Sequence, residues 1–305
     1  MARHRNSASA GQRAGLWPRE PLRAASRKRG PPARPASATV DGALSRWRAV
    51  RVLTWNVAGR VARQPEQAEA VGATGADVVA LQEVTPRTLP LWRDALRDAG
   101  FRGCETALGD ARPAGRRALG VLTAAREPLG RLVAPDVPWP ERVLRCAVGD
   151  VEVINVHSPI SPAPDLAKVR THEAVAAHLL ACGDGTRILC GDLNTPRREL
   201  ADGDVITFAR DRNGRLRPER GERWDSAERA LVHGLRQHGY VDAFRALYGY
   251  GERHASWTFA RDRGGWRLDH VLVRGLRPTA AAYAHDWRRA GLSDHSALVV
   301  DLARE

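Results

Sequence analysis

The chain has 305 residues, room for one large domain or two ordinary ones, and its 43% apolar and 27% charged residues suit a globular protein. No apolar stretch approaches the ~20 residues of a spanning helix and no signal-peptide core follows the start, so a cytoplasmic location is expected. The net charge of +13 suggests nucleic acid only until it is partitioned: residues 1–48 hold eleven Arg or Lys against two acids, leaving +4 for the rest.

Residues 1–47 are rich in Arg, Ala, Ser, Gly and Pro and lack apolar periodicity. Such a segment buries too little surface to offset its ordering entropy, so a disordered basic tail is expected. A basic arm that loosely holds nucleic acid is the functional alternative. Val50–Val57 then alternates like a strand, ending at Asn56 and Gly59. Glu66–Ala73 reads as a short helix, and Ala76–Gln82 as a strand buried on both faces that ends on Glu83. Thr85-Pro86 resembles an N-cap followed by proline at the first helical position, so a helix is expected from there to about Asp98.

Leu119–Ala124 reads as a strand. Arg142–Val148 and Val151–Val156 read as a hairpin on a Gly149-Asp150 turn, its second strand ending on His157, Ser158 and Pro159. Asp165–Cys182 has the pattern of an amphipathic helix; His172 and His178 on it are read as surface or satisfied side chains without ligand-spaced partners. An apolar run then ends abruptly in Gly191-Asp192-Leu193-Asn194-Thr195-Pro196, and a polar loop follows over 197–223. Ser226–Gly239 reads as a helix capped by Ser226, and Val241–Tyr248 as a shorter one. Strands are expected over 256–260, 266–273, 279–287 and 296–302. The four cysteines lack C-x-x-C spacing and are read as reduced thiols rather than a zinc or disulfide framework. Interleaved helices and strands with many antiparallel connections predict an α/β class with mixed sheets, one domain over about 49–305.

Asn56, Glu83, His157, the Asp192/Asn194 pair, and Asp269 with Asp294-His295 all fall at strand ends. Each has a bland reading: Asn56 a turn residue, Glu83 a helix-start acid, Asp269 the ion-pair partner of Arg267. Their joint occurrence argues for one pocket, since strand-end loops carry the chemistry in such folds. Chemically the set suits phosphoester hydrolysis. Glu83 and Asn56 offer hard oxygen ligands for Mg²⁺ or Mn²⁺. Asp192 could deprotonate a water oriented by Asn194, and His295 beside Asp269 could stay protonated to stabilise phosphoryl charge.

The motifs L-T-W-N, L-Q-E-V, V-I-N-V-H-S-P, G-D-L-N-T-P, S-W-T-F, G-W-R-L-D-H and L-S-D-H occur here in this order. Together, over about residues 50–302, they resemble the endonuclease/exonuclease/phosphatase superfamily with its deoxyribonuclease I-like fold. The resemblance implies a four-layer sandwich of two mixed β-sheets flanked by helices, and metal-dependent phosphodiester hydrolysis by direct water attack. It makes Glu83 the chief metal ligand, helped by Asn56 and Asp294; Asp192 and Asn194 would handle the nucleophile, and His295, oriented by Asp269, would contact the phosphate. G-Y-V-D-A-F-R, S-W-T-F and G-W-R-L-D-H are similar to exonuclease III-type abasic-site endonucleases. That branch implies a DNA substrate, a DNA-repair setting and Trp257 or Trp266 near the nucleic acid, core tryptophans being the alternative. Two features depart from it: His157 stands where Tyr followed by x-P-N is usual, and no Lys follows Glu83 closely. A His at position 157 resembles deoxyribonuclease I and sphingomyelinase-like members, where it contacts phosphate. A small or lipid phosphodiester therefore stays open as substrate, and His270 is read as structural. Because every chemically required position is filled, an inactive binding protein is disfavoured. No protein partner is evident and a monomer is expected.

Overall fold

The computed structural model describes residues 49–109, 117–259 and 264–304; the expected basic tail lies outside them. In chain order the elements are β1 Ala49–Asn56, α1 Gln64–Ala73, β2 Val78–Val84, α2 Leu89–Asp98, β3 Gly103–Thr106, β4 Gly120–Ala125, β5 Leu129–Leu132, β6 Val143–Val148 and β7 Val151–His157. After them come α3 Ala167–Ala181, β8 Thr186–Asp192, β9 Arg198–Glu199, β10 Val205–Ile206, α4 Gly221–Val232, β11 Val241–Asp242 and α5 Ala243–Tyr248. The chain finishes with β12 Trp257–Thr258, β13 Gly265–Trp266, β14 Asp269–Arg274, β15 Leu276–Ala284, α6 His285–Arg289 and β16 Ala297–Arg304.

Twelve strands form two six-stranded mixed sheets, ordered β15-β16-β1-β2-β4-β3 and β11-β14-β8-β7-β6-β5. Each has one central parallel pair, β1/β2 in the first and β7/β8 in the second, and antiparallel neighbours elsewhere. Period-2 patterning explains the core between them. Val50, Val52, Val78, Ala80, Leu298 and Val300 of the first sheet meet Val151, Val153, Ile188, Cys190, Val271 and Val273 of the second. Opposite positions of the second sheet (Ile154, Val156, Leu189, Leu272) pack under Val175 and Leu179 of α3 and Leu231 of α4. Full burial of each such side chain is worth roughly 1.5–3 kcal/mol.

The inter-sheet layer turns polar toward one end. Gln82 Nε2 donates to Asn155 Oδ1 at 2.8 Å and to Thr54 Oγ at 3.0 Å, and Asn155 Nδ2 donates to the carbonyl of Leu122 at 2.9 Å. This buried, hydrogen-bonded seam fixes the register of the two sheets. Register then places the chemistry: Asn56 pairs with Gln82, His157 with Asp192, and Asp269 with Asp192. The ends of both parallel pairs thus open on the same edge of the sandwich.

Several boundaries differ from expectation. The helix after Glu83 begins at Leu89 because Thr85 and Thr88 bond each other's backbone N–H groups and form a turn first. Ser226 is an exposed residue inside α4, which starts a turn earlier so that Trp224 and Asp225 are also buried. The strand expected over 256–260 is only Trp257–Thr258, with Ala260 outside the described residues. Within the expected polar loop, β9 and β10 form a short ribbon, held through Arg210 and Thr207 to Asp225. Cys146 and Cys190 are buried and Cys104 and Cys182 half-buried, all as free thiols.

Candidate active site

Asp192, at the end of β8, is the centre of the group. Gly191 makes this possible: its φ of +133° and its contact with β7 leave no room for a Cβ, which would collide with the Val156 carbonyl. Asp192 Oδ2 accepts from Asn56 Nδ2 at 3.0 Å, and its Oδ1 accepts from the backbone N–H of Asn194 at 3.0 Å. His157 Nε2 and His295 Nε2 each lie 3.8 Å from Oδ2. Burial, with the nearby charge of Asp269, pushes the Asp192 carboxyl up to about 7, although His295 opposes this.

His295 Nδ1 is 2.8 Å from Asp269 Oδ2, so Nδ1–H is the donor and Nε2 faces Asp192. Burial opposes its charge, but Asp269 and Asp192 outweigh that and raise it to about 10. The imidazolium is therefore the form at neutral pH. Asp269 is not the ion-pair partner of Arg267, whose guanidinium binds Glu199 and Asp242 instead. Its Oδ1 is buried and accepts no hydrogen bond among the described residues. The main chain of His295 is held on both sides: Trp55 Nε1 donates to its carbonyl at 3.0 Å, and its N–H donates at 3.2 Å to Ser293 Oγ, which in turn donates to the Asn56 carbonyl at 2.6 Å.

His157 is the other histidine, of opposite character. Burial, the Arg142 guanidinium and His295 all drive it well below its ordinary value, so it is neutral. Arg142 Nη1 sits 3.0 Å from the ring nitrogens. Glu83 lies opposite, its Oε1 3.3 Å from Asn56 Nδ2 and 3.7 Å from His157 Nε2. It occupies a register irregularity between Leu81 and Val84, with a left-handed φ of +59°. Such a conformation in a non-glycine residue is strained and turns the side chain out of the strand's alternation. Glu83 is thus no helix-start acid.

Asn194 is also left-handed, at φ +50°, and its Nδ2 donates to the Ser158 carbonyl at 2.8 Å. Asp294 is exposed at the rim and adds negative charge beside His295. Trp257 and Trp266 stand half-buried on the β12/β13 ribbon, stacked at 5.2 Å, and Trp257 bridges to His295 through the backbone. His270 is fully buried between Asp242 and the Thr195 carbonyl.

A polar edge of two facing mixed sheets, with a carboxylate, an imidazolium and a second carboxylate converging on it, agrees with the comparison to known families. The model of the endonuclease/exonuclease/phosphatase family matches residues 53–295. The chain belongs to the endonuclease/exonuclease/phosphatase family. Its members hydrolyse phosphoester bonds and generally depend on a divalent metal. The fold is similar to that of an AP endonuclease from Archaeoglobus fulgidus (TM-score 0.62, 20% identity, 82% of this chain and 98% of that one). It is also similar to the 3′ phosphatase NExo from Neisseria bound to product DNA hairpin (TM-score 0.58, 21% identity, 82% and 98%). A third likeness is D. rerio TDP2 complexed with single-strand DNA product (TM-score 0.58, 15% identity, 83% and 98%). Among curated proteins none matches significantly. The deoxyribonuclease I-like four-layer sandwich is the fold of this endonuclease/exonuclease/phosphatase chain.

Two places in the site offer ligand atoms for a cation. Oxygen and nitrogen atoms of Asp192, Asp269 and His295 lie within 4.8 Å of one another, but both oxygens of Asp192, Oδ2 of Asp269 and Nδ1 of His295 are already spent on internal hydrogen bonds. Glu83, by contrast, has a side chain 23% exposed, a hard-oxygen donor open to solvent, beside the buried Asn56, whose Nδ2 faces Glu83 and whose Oδ1 accepts from the Ala58 N–H at 3.0 Å. A further group, Glu152, His178 and Cys182, lies elsewhere. His178 does have partners at ligand spacing, Cys182 one helical turn on and Glu152 on β7, while the 3.0 Å contact of its Nε2 with Glu152 agrees with the expected satisfied side chain. Glu152 is already held by Arg145 at 2.7 Å and Arg187 at 3.1 Å, which disfavours a cation there.

Sequence reasoning missed Arg142, Asn155 and Lys168. Arg142 carries no signal in an Arg-rich chain. Asn155 did, as a polar residue inside the apolar V-I-N-V, and so did Lys168, one of only two lysines in the sequence.

Proposed function

We propose that this chain is a divalent-metal-dependent phosphodiesterase acting on nucleic acid, cleaving by direct attack of water on phosphorus. The observation that carries the reading is Asp192 held between Asn56 and the Asn194 N–H, with the His295 imidazolium 3.8 Å away. Asp192, with its carboxyl lifted by burial, takes the proton of the attacking water. The N–H of Asn194 fixes the carboxylate that does so, while its carboxamide braces Ser158. His295, kept charged by Asp269, donates from Nε2 to a phosphoryl oxygen as negative charge builds there. Neutral His157, backed by Arg142, offers a second contact to the phosphate. Glu83 and Asn56, with Asp294 at the rim, would hold Mg²⁺ or Mn²⁺. When bound, that ion polarises the phosphate and steadies the leaving oxygen.

The polynucleotide reading rests on the surroundings. A cavity of about 560 Å³, reached from the Asn194 turn at Pro196 and not lined by the proposed catalytic side chains, is bordered by Arg197, Arg198, Arg253, Tyr250 and Trp266, with the acids Glu199 and Glu252 among them. It shares Arg253, His254 and Gly265 with a second cavity of about 480 Å³ that adds Arg288 and Arg289. Basic side chains interleaved with aromatic ones suit a sugar–phosphate backbone and its bases. That two similar structures hold product DNA agrees with this. The activity is assigned to residues 49–305, with residues 1–47 dispensable for it. The test is hydrolysis of abasic duplex, plain DNA, RNA and a generic phosphodiester with Mg²⁺ or Mn²⁺, together with DNA binding across a salt titration. Cleavage of a polynucleotide with salt-sensitive binding is expected. Hydrolysis of the small diester alone, with no DNA binding at low salt, overturns the nucleic-acid reading and leaves a small or lipid phosphodiester as substrate.

A further inference from the structure

Beneath the Asp192–Asn194 turn lies a buried ion pair that no step above uses. Lys168, in the first turn of α3, is 1% exposed, and its Nζ donates to Glu228 Oε1 at 2.6 Å and to the Asn194 carbonyl at 2.7 Å. Glu228, on α4 and fully buried, also accepts from Trp224 Nε1 at 2.7 Å, Thr195 Oγ at 2.7 Å and the Phe208 N–H at 2.8 Å. The ammonium completes its surroundings over the Phe208 ring, 4.7 Å from the centroid. One turn further along α3, His172 Nε2 reaches the preceding carbonyl, Leu193, at 3.2 Å, and Ser158 Oγ at 2.7 Å. Two successive carbonyls of the turn are thus held by residues i and i+4 of one helix face.

We propose that Lys168 and Glu228 are positioning residues for this hydrolase: they clamp Asn194 and Thr195 so that the Asn194 N–H stays on Asp192. Stability alone does not account for the pair, because a buried ion pair is commonly no more stabilising than apolar side chains of the same volume. The turn, however, needs an external hold. Asn194 sits at φ +50°, a left-handed conformation that is uncommon outside glycine although Asn is among the side chains that adopt it most readily. Its carbonyl is pinned by Lys168 and its side chain by Ser158, and its N–H is the bond that orients the proposed base. A shift of about 1 Å in a catalytic group can lower a rate by about 10²-fold.

The inference rests on the proposed role of Asp192, and its test separates the two. Removing one partner would strand a buried charge, so the test variant is Lys168→Met/Glu228→Gln, with Val175→Ala in the α3 core as a control for lost packing. The double variant should lower kcat by about 10- to 100-fold with KM within threefold, while the control changes melting temperature and spares kcat. Hydrogen exchange over residues 190–196 should accelerate in the double variant only. Thr195→Val cuts the same clamp without unpairing a charge and should lower kcat several-fold, so it decides the matter if the double variant does not fold. An unchanged kcat in folded double variant and Thr195→Val alike overturns the inference. A wild type inactive on every phosphoester overturns the function instead, and the exchange rates still decide the clamp: unaltered exchange rejects it.

Discussion

At the scale of single residues, two histidines within 4 Å of one carboxylate are driven to opposite protonation states. His295 has Asp269 on Nδ1 and is raised to about 10; His157 has Arg142 beside it and is held far below its ordinary value. Burial disfavours the charge on both, so the partner decides. In the proposed reaction, a protonated and a neutral imidazole facing the same space would supply a charged and an uncharged donor to one phosphate. Replacing His295 by Ala should therefore lower turnover by at least ~10²-fold with an unaltered far-ultraviolet spectrum, as expected for loss of a charge-stabilising donor. Steady-state kinetics on whichever diester the wild type cleaves checks this, and near-wild-type turnover would remove His295 from the mechanism. These residues were legible as strand-end polar groups because strand periodicity and the motif order place them. Their protonation was not, since Arg142 and the Asp269 geometry come from segments distant in sequence.

At the scale of elements, the site depends on irregularities in otherwise regular strands. The shift in β2 pairing puts Glu83 at φ +59° and aims it at Asn56. If this carboxylate holds the metal, Glu83→Ala should raise the metal concentration for half-maximal activity by at least tenfold. A titration with Mg²⁺ measures it, and an unchanged midpoint would count against the ligand role. The long strands and the hairpin were legible because their apolar alternation is strong. The start of α2 was misplaced because paired threonine hydroxyls make Thr85–Thr88 a turn, and the start of α4 because the exposed Ser226 mimics a cap. The strands β3, β5, β9 and β10 are two to four residues long. Segments this short gain their structure from neighbours and show no period of their own.

At the scale of the molecule, two sheets meet through an apolar core at one end and a polar seam at the other, and the site lies beyond the seam. A second ionic cluster ties β9, β11, α5 and the segment leading into β14 together: Glu199 binds Arg245 and Arg267, and Asp242 binds Arg267 and caps α5. Burial opposes the charge on Glu199, but Arg267 and Arg245 outweigh it and lower its carboxyl from 4.5 to about 2. Its folded value lies below the unfolded one, so the stabilisation is complete above about pH 4.5 and lost as pH falls toward 2. Urea unfolding across that window should show a loss on the order of 3 kcal/mol that Glu199→Gln flattens; an equally steep loss in the variant would assign it to other carboxyls. Deletion of residues 1–47 should leave hydrolysis of a short substrate within about twofold of the full chain, since the proposed site draws every side chain from residues 56–295. A larger loss would give the tail a part in the reaction. The sandwich itself was legible because seven motifs stand in family order. The polar seam was not, because Gln82 and Asn155 gain meaning only when the two sheets face each other.

The central claim is that Asp192 is the base of a metal-dependent phosphodiesterase. Its most direct test is the initial rate of cleavage of a labelled oligonucleotide by wild type and Asp192→Asn, each with Mg²⁺ and with chelator. The wild type should cleave only with the metal, and the variant at least ~10²-fold more slowly at the same metal concentration. Cleavage that survives chelation, or a variant within tenfold of wild type, would contradict the account.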